Sequence, residues 1–308
     1  MKPMKSMKLI LIILFIALLF TPTSIAQAAS NKNSSAATST SPQGYSTWLW
    51  DTNEITYNSD NILTFLVNNH VTTVYLQVNY NLDYSYYQDF ISRASANNIA
   101  VHALDGSPDW VMENGGVYQD AFFAWVADYQ ANSAVAAQFK GIHLDVEPYH
   151  YSTGYNTDPN AVLNRYQDFL LNAKNAASNL SLNLGIDIPF WFNEVSYSTG
   201  YGTGNLAAWI FNNIKTVTIM AYRDTAAGAN GINQLAAAEM TLAKQYNASA
   251  TIAVETENVG DPTYVTFFEE GSTYMYNELN LVRQYFSKNR AFSGIGIHHL
   301  DSWMSMNP

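Results

Sequence analysis

The chain reads as an α/β protein built as one (β/α)8 TIM barrel, on three observations. Short apolar runs alternate with longer helix-patterned stretches from residue 46 onward, which is the pattern of parallel strands joined by crossover helices. Polar residues gather at the carboxyl ends of those runs, the face where such a barrel carries its site. No glycine-rich phosphate loop follows the first run, where Trp50-Asp51-Thr52-Asn53 stands instead, so a doubly wound open sheet fits less well.

Eight strands are expected, at Ser46 to Asp51, Thr73 to Asn79, Ala100 to Asp105, Gly141 to Glu147, Leu182 to Asp187, Val217 to Tyr222, Thr251 to Glu257, and Gly294 to His299. Helical periodicity fills the gaps at Asp60 to Asn68, Tyr86 to Asn97, Gln119 to Ala131, Ala161 to Asn179, Leu206 to Asn213, Gly231 to Tyr246 and Met275 to Asn289. Asp105-Gly-Ser-Pro-Asp109 reads as a loop-opening turn. No internal repeat and no second domain is visible.

The N-terminus reads as an export signal. Lys2, Lys5 and Lys8 precede the apolar run Leu9 to Phe20, and Ala26-Gln27-Ala28 supplies a small-x-small cleavage site. Residues 1–28 are therefore expected to be a secretory signal peptide, 29–43 a flexible Ser, Asn and Thr-rich leader, and 44–308 the barrel. The apolar run, of about 12 residues, falls short of the roughly 20 that a spanning helix needs. The expectation is a secreted monomer with no membrane attachment after cleavage.

Composition narrows the partners. The chain has no cysteine, so disulfides and thiolate metal sites are excluded. A net charge of -11 with only 14 Lys and Arg argues against nucleic acid, which wants a basic face. The 21 Tyr and 7 Trp suit neutral sugars, whose C–H faces stack on rings while their hydroxyls seek amides and carboxylates. A polysaccharide or oligosaccharide is the expected partner.

The stretch Lys140-Gly-Ile-His-Leu-Asp-Val-Glu-Pro148 carries the strongest signal. At a period of two, Gly141, His143, Asp145 and Glu147 share one face, and Ile142, Leu144 and Val146 share the other. Two carboxylates two residues apart lie roughly 7 Å from each other at Cα and point into one space. Burial beside a like charge is costly, and it fits a site where one carboxyl stays protonated and the other ionised. A carboxylate pair satisfied by backbone and tyrosine hydroxyls is the plainer alternative. On the sixth run, Thr218, Met220 and Tyr222 share a face opposite Val217, Ile219 and Ala221, which aims the Tyr222 hydroxyl into the mouth.

With these residues, and Trp303 just after the eighth run, the chain resembles the family 18 chitinase-like glycoside hydrolases. The family's fourth-strand pattern is Asp-Gly-x-Asp-x-Asp-x-Glu. Gly141, Asp145 and Glu147 match it, while Lys140 and His143 replace acids. Its sixth-strand pattern, Met-x-Tyr-Asp, is matched by Met220 and Tyr222, with Arg223 in the aspartate's place and Asp224 one residue later. The resemblance implies retaining hydrolysis at an N-acetylhexosamine. Glu147 protonates the leaving oxygen and the substrate's own acetamido carbonyl attacks the anomeric carbon, an exception to the two-carboxylate scheme. Asp145 then orients the acetamido nitrogen and Tyr222 holds its oxygen.

A second enzymatic reading keeps Glu147 as acid/base and adds Glu255, on the inward face of the seventh run, as nucleophile, with carboxyl groups about 5 to 5.5 Å apart. Val146-Glu147-Pro148 partly resembles the Asn-Glu-Pro of glycosidases that use this layout. A third reading is a carbohydrate-binding barrel without turnover, in which Lys140, His143 and Arg223 mark the loss. Trp50, Gln77, Asn79, Asp187, Met220, Glu257, His298 and Trp303 are the expected substrate contacts, and Trp48, Trp110 and Trp191 also lie near strand ends or in the loops beyond. His298-His299-x-Asp301 hints at a metal, but adjacent strand residues face opposite ways. No metal and no cofactor are expected.

Overall fold

The computed structural model describes residues 44–150 and 152–308. The expected signal peptide and leader lie outside the described residues. Eight parallel strands close a barrel: β1 (Tyr45–Leu49), β2 (Val71–Gln77), β3 (Ala100–Asp105), β4 (Gly141–Leu144), β5 (Asn183–Pro189), β6 (Thr216–Met220), β7 (Ser249–Glu255) and β8 (Phe292–His298). Each pairs with its neighbour in the chain, and β8 closes on β1 through Tyr45 opposite Ile295 and Thr47 opposite Ile297. The single (β/α)8 barrel expected from the alternation is the fold.

The principal helices are α1 (Ser59–Asn68), α2 (Tyr84–Ala96), α3 (Gly116–Ala131), α4 (Pro159–Asn179), α5 (Leu206–Asn213), α6 (Ala237–Gln245), α7 (Ser272–Phe286) and α8 (Leu300–Ser305). Side chains start several of them: Asp83 accepts from the Ser85 amide, Asp158 from Ala161 and Asn205 from Ala208. Four stop alike. His70, Asn98, Ser181 and Asn247, each two residues past a helix, adopt φ of 51–60° and swing the chain back toward the next strand. The helix expected over Gly231 to Tyr246 is broken at Ala236 into Ile232–Leu235 and α6. A short antiparallel hairpin, Ser196–Thr199 with Gly202–Asn205, was not foreseen.

Two apolar layers follow from strand alternation. Ile142, Leu144, Val146, Val217, Ile219, Ala221, Ile252 and Val254 face outward into the shell under the helices. The lumen holds Trp48, Tyr75, Leu104 and Ala253, with Trp50 and Tyr222 above them. Rings fit there because glycines stand opposite. A Cβ on Gly296 would lie 2.8 Å from the Trp48 ring, one on Gly185 2.9 Å from His143, and one on Gly141 2.7 Å from His102. The interior is a packed core with its site above it.

The expected strand ends need correction at the mouth. Ladder pairing in β4 stops at Leu144, so Asp145 and Glu147 belong to the segment that follows, and Tyr222 lies two residues past β6. The inward and outward alternation nevertheless continues to Val146, which is buried. The Asp145 amide still donates to the Asp105 carbonyl at 3.1 Å. This close pass requires Gly106, where a Cβ would fall 1.9 Å from the Asp145 carbonyl oxygen.

Candidate active site

The mouth is built in two tiers. In the lower tier His143 stacks on Tyr75 with ring centroids 3.7 Å apart, and its Nε2 lies 2.7 Å from Oδ1 of Asp187. Oδ2 of Asp187 accepts from the Trp48 indole at 3.1 Å. Both oxygens of this buried carboxylate are thus occupied by protein donors. Asp187, expected to touch substrate, instead anchors the floor.

Asp145 stands over this floor. Burial, then the charges of Glu147 and Asp187, push its carboxyl well above the usual range, and its Oδ1 has no hydrogen-bond partner. That shift favours the protonated form of the acid. Glu147 is more open, its side chain 20% exposed. Its Oε2 receives the Tyr149 hydroxyl and lies 3.3 Å from Nε2 of His150. Tyr149 in turn rests edge-on against Trp191 from the loop after β5, with centroids 4.9 Å apart. Tyr222 is held well above its ordinary pKa by burial and then by the charges of Glu255, Asp187, Asp145 and Glu147, so it stays a neutral donor.

Glu255 is the opposite case. Its side chain is 7% exposed. Oε1 accepts from the amides of Thr256 and Glu257, both at 2.8 Å, and Oε2 lies 2.8 Å from Nδ1 of His298. Burial alone would raise its pKa, but His298 and the two amides bring it below the usual carboxylate value. Burial pulls His298 down, while the Glu255 anion lifts it to a net rise. The Trp50 indole N–H, 2.9 Å from His298 Nε2, is a donor only, so the geometry fits the neutral ring protonated at Nδ1. A second N–H on the ring would face the indole donor, which opposes the lift.

The other expected contacts divide. Trp50 and His298 meet at the mouth. Met220 and Gln77 end the inward faces of β6 and β2, Met220 buried and Gln77 half-buried. Asn79 braces a loop, its amide nitrogen on Asn53 and its oxygen taking the Asn81 amide. Glu257 turns outward, 59% exposed. Trp303 is corrected outright. It is 2% exposed, packs on Tyr45 and Phe65, and donates to the Tyr276 hydroxyl, because α8 carries it into the helix layer. Trp110 is likewise core, against Phe122 and Phe169, and Trp48 lies beneath the mouth. Arg223 is buried between the rings of Phe190 and Tyr264 and donates to Asn230, a structural role.

Sequence reasoning passed over Tyr149 and His150. His150 had a signal in its i+3 spacing from Glu147, at which side chains on a helical turn meet, whereas Tyr149 at i+2 had none. Among the described residues no group of three or more His, Asp or Glu side chains is placed to hold a metal ion.

No family model matches this chain, and no curated protein matches it. Solved structures do. Dispersin B aligns with 86% of this chain and 93% of its own at 11% identity, TM-score 0.52. Catalytic domain 2 of the Ostrinia furnacalis Group II chitinase covers 84% and 90% at 10% identity, TM-score 0.53. The PgaB (BpsB) glycoside hydrolase domain from Bordetella bronchiseptica covers 87% and 96% at 11% identity, TM-score 0.53. At such identities what the likeness establishes is the barrel that this chain shares with them.

Proposed function

We propose that this protein is a secreted glycoside hydrolase acting on an N-acetylhexosamine-containing polysaccharide, with Glu147 as general acid/base and substrate-assisted retention. One observation carries the reading. Asp145, its Oδ1 enclosed and without a hydrogen bond from any described residue, stands beside a partly exposed Glu147, whereas Glu255 has both oxygens occupied. A nucleophile must turn an oxygen to the anomeric carbon, and Glu255 has three of its roughly four acceptor positions taken by two amides and His298. Asp145 suits an acetamido N–H, since its Oδ1 lacks a partner and an unpaired buried acceptor gains from a donor. Tyr222 would donate to the acetamido oxygen. The names of two similar barrels, a chitinase catalytic domain and a glycoside hydrolase domain, agree with this class.

The experiment is product release from N-acetylglucosamine and N-acetylgalactosamine oligosaccharides beside sugars lacking the acetamido group, for the mature protein and Glu147→Gln. Turnover confined to acetamido sugars and lost in the variant is expected. Hydrolysis of sugars without that group would restore Glu255 as nucleophile, and binding without any turnover would make this a carbohydrate-binding barrel.

A further inference from the structure

Glu147 uses its two oxygens unequally. Oε2 takes both local contacts, from the Tyr149 hydroxyl and His150 Nε2, and no hydrogen bond from a described residue reaches Oε1. The three side chains sit on one tight turn, closed by the His150 amide donating to the Glu147 carbonyl at 3.1 Å. Tyr149 packs on His150, centroids 4.7 Å apart, and on Trp191. The loop bearing Trp191 is pinned from behind, where the Asn193 amide donates to Oε1 of buried Glu239 at 3.1 Å. The contact with the Glu147 carboxylate lifts His150 above its ordinary pKa despite burial. The floor supplies no such partner, because His143 is committed to Asp187.

We propose that His150 is the positioning residue of the acid step: with Tyr149 it holds Oε2, turns Oε1 to the scissile bond, and as imidazolium steadies the carboxylate left behind. This rests on the hydrolase reading of Glu147. The proton on Oε1 passes to the glycosidic oxygen as the anomeric C–O bond breaks and its electron pair goes to that oxygen. The acetamido oxygen forms the new bond to the anomeric carbon, and water later opens that ring, returning a proton to Oε1.

The test is leaving-group dependence. A 4-nitrophenyl glycoside leaves without protonation, whereas the alcohol of an oligosaccharide does not. His150→Ala is expected to lower kcat on acetamido oligosaccharides by about ten- to a hundredfold with KM little changed. It should leave the nitrophenyl substrate within about threefold, and His150→Gln, which keeps a donor, should recover most of the loss. Equal effects on both substrates, or none on either, overturn the proposal. Glu147→Gln with full oligosaccharide turnover instead overturns the hydrolase reading itself. An NMR titration needs no turnover: the His150 midpoint is expected above the ordinary value of about 6.5 and to fall back in Glu147→Gln, and a midpoint indifferent to that change sinks the contact.

Discussion

Glu147 and Glu255 stand at the ends of β4 and β7 as the same side chain in two surroundings. Glu147 keeps one oxygen without a hydrogen bond from any described residue, with a histidine and a tyrosine on the other. Glu255 is sealed in, its charge divided between two backbone amides and His298. A carboxylate with both oxygens engaged orients its neighbours, and one with an oxygen left over is available for chemistry. Glu239 and Glu257 extend the series, one buried under the Trp191 loop and one in solvent.

Replacing each by glutamine sharpens that contrast. Glu147→Gln should lower oligosaccharide turnover by about 10²- to 10⁴-fold, the usual share of a general acid, with KM largely kept. Steady-state kinetics on a folded variant would read it. Glu239 comes next, and its effect is on stability. Burial lifts its pKa from 4.5 to about 7, so the folded chain keeps a proton that the unfolded chain gives up as pH rises between those values. Stability should therefore fall across that window by about 3 kcal/mol. Thermal midpoints of Glu239→Gln should be flatter from pH 4.5 to 7 and higher than the parent's at pH 8, and parallel curves would contradict this.

Glu255→Gln should cost about 1–3 kcal/mol, the penalty for disturbing a buried hydrogen-bonded charge, measurable by denaturant unfolding. It should retain well over a tenth of the turnover. A well-folded Glu255→Gln as inactive as Glu147→Gln would bring back the two-carboxylate scheme. Glu257→Gln should change stability by less than about 0.5 kcal/mol and leave KM alone, and a raised KM would return it to the substrate contacts.

The barrel was legible because each strand is a short apolar run whose alternation has only one buried solution. The pairing of Asp145 with Glu147 was legible for the same reason. Contacts set by closure were not. Trp48, His143 and Asp187 meet across gaps in sequence of 139 and 44 residues, and no local pattern announces that. Trp303 misled because it follows the eighth strand directly, yet a short helix folds it into the outer layer. The hairpin at Ser196–Asn205 has strands of four residues and glycines at 200, 202 and 204, so its local pattern is that of a loop.

Gly185 and His143 form a lock and its key in the evolutionary sense. The imidazole occupies the space that the missing Cβ leaves, so changing one position alters what the other tolerates. His143→Asp would set a second carboxylate against Asp187 and remove the ring that stacks on Tyr75 and meets Trp48 edge-on. That single substitution would weaken the protein, and an engineer seeking an acid at this place would have to alter positions 143, 185 and 187 together.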